Sequence, residues 1–229
     1  MNQKKFILYA AVIGAVVGAW MAGGDLHSIF AKIPALGPDR SLLDHRSLLG
    51  ICLAIFVVYS IYWEVAAKNA AAAKSSESPS SRAVHVVLVN VAFLLEIAPI
   101  HGLGRFVPVS VPLMLAGISV ESLGLLIAIW ARRHLGRNWS GEITVKVDHE
   151  LIRSGPYRRL RHPIYTGILA MYVGIAMVTG EWLAVVGLVL VMFAYWRKIR
   201  MEEATLHGAF GAVYEEYSRG TWALIPGIF

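Results

Sequence analysis

Apolar runs of near membrane-spanning length recur six times along the chain, at roughly 6–21, 48–67, 83–100, 112–131, 164–179 and 182–196. Crossing a bilayer takes about 20 apolar residues. Inside lipid the backbone must satisfy its own hydrogen bonds, so each run is predicted to be a helix. Only Gly180-Glu181 separates the last two, which predicts a tight helical hairpin. The polar stretch Lys74–Arg82, serine-rich and broken by Pro79, is expected to be a flexible linker. Lys4-Lys5, the first run and Ala22-Gly23-Gly24 have the layout of a signal peptide. In a multi-spanning chain the expectation is that this span is retained. Gly14 and Gly18 are spaced for helix packing.

Composition agrees with lipid as the solvent. Of 229 residues 57% are hydrophobic and 16% charged, against about 25% charged in soluble domains. The net charge of +6 is concentrated between the apolar runs. If six spans alternate, Lys4-Lys5, Lys68, Lys74 and Arg82, the basic residues from Arg132 to Arg161, and Arg197-Lys198-Arg200 share one side. Only Lys32, Arg40, Arg46 and Arg105 fall opposite. The positive-inside rule then puts both termini and the motif-rich second half in the cytoplasm. This bias sets orientation and does not point to nucleic acid. Cys52 is the single cysteine, so no intrachain disulfide can form. The chain divides into N-terminal transmembrane helices, 1–131, and a chemistry-bearing region, 132–229.

That chemistry begins at Arg161-His162-Pro163-Ile164-Tyr165. Proline disfavours helix at the residue before it and suits a first helical turn. Arg161 and His162 should therefore project from a helix N-terminus, where free N–H groups and the dipole favour an anionic ligand group. Histidine and tyrosine can also hydrogen-bond a ribose or a base. Glu202-Glu203 is expected to open a separate helix with stripes 203, 207, 210, 214, 217 and 202, 206, 209, 213, one Glu facing a pocket and the other water. Glu96 and Glu121 fall within spans, where a carboxylate is costly and suggests function. His149-Glu150 lacks the second histidine of a zinc helix, Gly102 and Gly104 lack a third glycine, and the eight histidines show no ligand spacing. No metal is expected.

From His134 to Pro226 the chain resembles the isoprenylcysteine carboxyl methyltransferase family, including its phospholipid-methyltransferase-like relatives. The likeness runs through Leu135-Gly136-Arg137-Asn138-Trp139-Ser140, His149-Glu150-Leu151-Ile152, Gly155-Pro156-Tyr157 and Arg161 to Gly167. It continues through Glu202-Glu203-x-x-Leu206, Phe210-Gly211-x-x-Tyr214-x-x-Tyr217 and Pro226. The resemblance implies an all-α integral membrane enzyme without a Rossmann domain. It would bind S-adenosylmethionine in a cytoplasmic-side pocket and release S-adenosylhomocysteine. Carried over by motif, the cofactor contacts would be Thr144, His149, Glu150, Leu151, Ile152, Tyr157, His162, Pro163, Ile164, Tyr165 and Glu202. Lys198, flanked by Arg197 and Arg200, stands where the family has a substrate-binding arginine, and lysine offers a point charge in place of a bidentate fork.

A carboxylate acceptor needs no general base, and Lys198 or Arg197 would orient it. An amine or thiol must lose a proton, which would give Glu203 a catalytic role. The expected reaction is carboxyl methylation of an isoprenylcysteine-like lipophilic acceptor entering laterally between helices, near the fifth span and the fourth. The alternatives are methylation of a phospholipid amine or small thiol, or an NADPH-dependent reductase of the sterol-reductase type.

Overall fold

The structure, a computed structural model, describes residues 43, 45–68, 73–97, 103–140, 143–146 and 150–227. Helix α1 runs His45–Ala67, α2 Pro79–Ile97, α3 Val111–Leu135, α4 Pro163–Thr179, α5 Trp182–Phe210 and α6 Ala212–Arg219. Among the described residues four stretches are long and apolar enough to cross a membrane: Ser47–Ala67, Pro79–Ile97, Val111–Asn138 and Trp182–Phe210. The apolar helix α4 is shorter, at 17 residues. These correspond to the second to sixth predicted spans; the first, 6–21, lies outside the described residues.

Backbone contact at glycine holds the central helices together. Gly117 and Gly124 on α3 face Gly174 and Gly167 on α4. A Cβ on any of the four would come within 2.5–2.6 Å of the opposing carbonyl oxygen. Only glycine allows that approach. Gly187 on α5 meets the Ala92 carbonyl of α2 in the same way, at 2.6 Å. Glu121 and Glu96 are buried beside these contacts, next to Gly174 and Gly187 respectively. Neither lines the cavity described below. Where α3 and α4 are this close, no opening separates them, so an entrance near these two spans would lie to one side of their contact.

Two further expectations change. The linker is not structureless: β1, Ala73–Ser76, pairs antiparallel with β2, Thr144–Lys146, in the register Ala73↔Lys146, Ser75↔Val145 and Ser76↔Thr144. Its polar backbone takes ladder partners from the second half, and α2 already begins at Pro79. This ribbon is the one sheet among the described residues of an otherwise helical architecture, beside two isolated β-bridges, Arg105↔Glu181 and Leu160↔Trp222. Nor does Glu202 open a new helix. Residues 182–210 form a single helix, and the break comes at Gly211, whose φ of 52° suits glycine.

Candidate active site

Helix α4 starts as the proline predicts, with His162 in non-helical backbone at φ −127° and ψ 55° and Pro163 at the first helical position. Its entrance, however, is covered by the C-terminal segment. The Arg161 and His162 amides donate to the Trp222 and Ala223 carbonyls at 2.8 and 3.0 Å, and Thr166 Oγ1 donates to Leu224 O at 2.7 Å. The backbone N–H groups of Arg161 and His162 are therefore already taken.

Side chains from α4 and α5 meet at this point. Arg161 Nε donates to Glu203 Oε1 at 2.6 Å, and its Nη1 donates to the carbonyls of Ser218 and Thr221. His162 Nε2 donates to the same Glu203 oxygen at 3.2 Å, while its Nδ1 lies 3.6 Å from Glu202 Oε2. Tyr165 stacks on His162, ring centroids 5.4 Å apart, and its hydroxyl donates to Glu202 Oε2 at 2.8 Å. Both glutamates are partly exposed, their side chains at 29% and 23%. The division expected between them holds in another form. Glu202 lines a cavity and Glu203 clamps Arg161 and His162 behind its wall.

Tyr217 closes the cap. Its hydroxyl donates to Tyr157 O at 2.7 Å, and burial pushes the phenol up to about 12, so it remains a donor at neutral pH.

The cavity is about 720 Å³. At its polar end stand Arg161, His162, Tyr165, Lys198, Glu202 and Tyr214, with Glu150, Leu151, Ile152, Tyr157 and Ile164 completing the wall. Tyr195, Lys198, Glu202, Thr205 and Leu206 share one face of α5, three or four residues apart, which the unbroken helix makes possible. The apolar end lies between α1 and α2, among Phe56, Tyr59, Trp63, Val89, Phe93 and Tyr172. Val57 and Ile61 of α1, 39% and 54% exposed, also line it, so this end is open on the apolar surface of α1.

The structure thus brings Glu150, Leu151, Ile152, Tyr157, His162, Ile164, Tyr165, Lys198 and Glu202 to one cavity. Pro163 is buried and shapes the helix start without lining it. Arg197 does not line it either: Nη2 donates to Ser81 Oγ at 2.8 Å and ties α5 to the start of α2. Thr144 contributes backbone to β2, and His149 lies outside the described residues. Sequence reasoning missed Glu64, Arg82, His85 and Asn90, which line the cavity from α1 and α2. Their signal was polar residues inside or at the edge of apolar runs.

Two atoms test whether a nucleoside sulfonium fits the polar end. Tyr214 is buried, yet its hydroxyl has no hydrogen-bond partner among the described residues. Among the described residues Glu202 uses only Oε2, leaving Oε1 to accept. A donor and an acceptor at one end, beside apolar Leu151, Ile152 and Ile164, suit a ligand with hydroxyl, amino and carboxylate groups on a flat base.

Comparison with known proteins agrees. Residues 113–213 match the model of the phospholipid methyltransferase family. A rice protein (Oryza sativa subsp. japonica) named as a probable protein-S-isoprenylcysteine O-methyltransferase is 33% identical over 115 residues, 49% of this chain and 60% of that protein. The Schizosaccharomyces pombe protein-S-isoprenylcysteine O-methyltransferase is 31% identical over 107 residues, 45% of each chain. The cobalt-zinc-cadmium resistance protein CzcN of Cupriavidus metallidurans is 32% identical over 121 residues, 52% of this chain and 50% of that one. The chain therefore spans roughly half the length of the curated relatives it matches. The solved structure of the eukaryotic intramembrane Ras methyltransferase ICMT superposes with a TM-score of 0.56 at 17% identity, covering 100% of this chain and 88% of that one, and so shares the fold. Family model, curated relatives and shared fold all support the likeness read from the sequence, to the isoprenylcysteine carboxyl methyltransferase-like family.

Proposed function

We propose that this chain is an integral membrane methyltransferase that uses S-adenosylmethionine to methylate the carboxylate of an isoprenylcysteine-like lipophilic acceptor. One observation carries the reading: a single cavity joins the motif-bearing polar cluster to an aromatic-lined end on the lipid-facing side. When bound, the cofactor supplies an already activated methyl group. The protein's task is then to hold the two reactants in line and exclude water.

Glu202 Oε1 accepts from the cofactor's hydroxyl or amino groups, and the Tyr214 hydroxyl donates to it. Tyr165 and His162 keep Glu202 in place. Lys198, whose Nζ sits 5.9 Å from the Tyr165 ring centroid, draws the acceptor carboxylate to the junction of the two ends. Arg197 is left with the structural bond to Ser81. Glu203 is no base in this scheme, because Oε1 already accepts two hydrogen bonds and the side chain lies behind the wall. Under the positive-inside rule the polar end faces the cytoplasm, where the cofactor is dissolved.

A second reading, methylation of an amine or thiol, draws on His85. Its Nδ1 lies 3.3 Å from Ala194 O, and a carbonyl only accepts, so Nδ1 carries the proton. Nε2 keeps its lone pair and has no hydrogen-bond partner among the described residues, so in the cavity wall it can accept a hydrogen bond from an amine or thiol acceptor.

Purified protein given labelled S-adenosylmethionine and, separately, a prenylcysteine analogue, phosphatidylethanolamine or a small thiol distinguishes these readings. The expected product is a base-labile methyl ester from the prenylcysteine analogue alone. Label in a stable N-methyl or S-methyl product would move the assignment to the second reading. Binding of NADPH with no binding of S-adenosylhomocysteine would overturn both.

A further inference from the structure

A second concavity, of about 810 Å³, lies where α1 and α3 end side by side. It shares no lining residue with the methyl-transfer cavity. Lys68 follows α1, Arg132 and Arg133 sit in the last turn of α3, and Arg137 lies in the short turn after it. No carboxylate lines it among the described residues.

Basic residues in a last helical turn ordinarily complement the helix dipole, and Arg132 does this. It donates to Gly136 O at 2.9 Å and to Ala66 O, and stacks over Trp139 at 4.2 Å. Yet Arg132 is only 3% exposed, and its partners among the described residues are all neutral, so among them its buried charge has no counter-ion. Lys68, Arg133 and Arg137 add three more charges, none ion-paired among the described residues. Apolar surface continues from the rim: Val65 and Ile129 line the concavity, and Val65, Leu126 and Trp130 are 58%, 62% and 55% exposed nearby on α1 and α3.

We propose that this concavity binds the phosphate head group of an anionic lipid, with the acyl chains along Val65, Leu126 and Trp130. The apolar rim on two spans favours a lipid over free phosphate. The lipid phosphate supplies the counter-charge that Arg132 lacks and bridges the ends of α1 and α3.

The test uses the full chain in phosphatidylcholine nanodiscs, with and without a minor fraction of phosphatidylserine. Native mass spectrometry reads the retained lipid, and a thermal ramp reads Tm. The combined variant Lys68→Gln/Arg133→Gln/Arg137→Gln is compared with Arg158→Gln/Arg159→Gln/Arg219→Gln, which removes equal charge elsewhere. Basic residues at a membrane surface contribute about 1 kcal/mol each, so the first variant should lose phosphatidylserine retention by tenfold or more, along with the lipid-dependent rise in Tm. The second should keep both, and S-adenosylhomocysteine binding by each variant reports an intact fold. Equal losses in the two variants would reduce the effect to bulk surface charge and overturn the proposal. So would binding of glycerol phosphate by wild type in detergent with no preference for phosphatidylserine in nanodiscs. Failure here leaves the methyl-transfer reading intact, since the cavities are separate.

Discussion

Glu202 and Glu203 are neighbours with opposite tasks, and the difference is measurable. Glu202→Gln keeps the side-chain shape and the contact from Tyr165, while removing the charge that strengthens a bond to the cofactor. Hydrogen bonds to charged groups contribute about 1.5–3 kcal/mol, so S-adenosylhomocysteine affinity should fall about ten- to a hundredfold by calorimetry, with Tm unchanged. Glu203→Ala leaves Arg161 and His162 without their shared acceptor beneath the C-terminal cap. It should lower Tm by several degrees and weaken cofactor binding only as the cap loosens. The opposite pattern would reverse the two roles. At this scale the sequence was informative wherever the chemistry is local, as at Arg161 to Tyr165. It could not tell the two glutamates apart. That depends on the rotation of α5 relative to His162, some 40 residues away in the chain. Nor could it show that Arg197 turns toward Ser81, one residue away from a lysine that faces the cavity.

At the scale of elements, apolar length revealed where helices run and concealed how tightly they meet. Gly117, Gly124, Gly167 and Gly174 recur at seven-residue spacing on two helices that are not adjacent in the pattern of motifs. Only their mutual approach shows that each Cβ position is occupied by an opposing carbonyl. Gly167→Val should therefore force α3 and α4 apart. Overpacking of this kind costs about 1–3 kcal/mol, and both Tm and cofactor binding should drop because α4 carries His162 and Tyr165. At Gly208 a Cβ meets nothing within 4 Å, so Gly208→Ala serves as the control and should be neutral or slightly stabilising. The same limit applies to the linker. Lys74–Ser76 has no strand-like alternation, and its order comes from a ladder partner about 70 residues later.

For the whole molecule, the cavity joins two halves that looked unrelated in sequence. The motif-bearing half furnishes the polar end, and α1 and α2, which carry no recognisable motif, furnish the aromatic end and the opening to lipid. Acceptor choice should then reside in residues that no motif marks. Phe56 packs on Phe93 in a tilted pair, ring centroids 4.5 Å apart, and meets Tyr172 edge-on at 5.5 Å, so these rings form the wall of the apolar end. Phe93→Ala lengthens that end without touching Glu202, Tyr214 or Lys198. If a prenyl chain lies there, the variant should raise KM for a short-chain acceptor several-fold, because lost apolar burial counts about 25 cal/mol per Å². It should tolerate a longer chain better than wild type does. S-adenosylhomocysteine affinity should stay the same, since that ligand occupies the other end. A change in cofactor affinity with chain-length preference unaltered would mean that the acceptor takes another route, and that the aromatic end only packs α1 against α2.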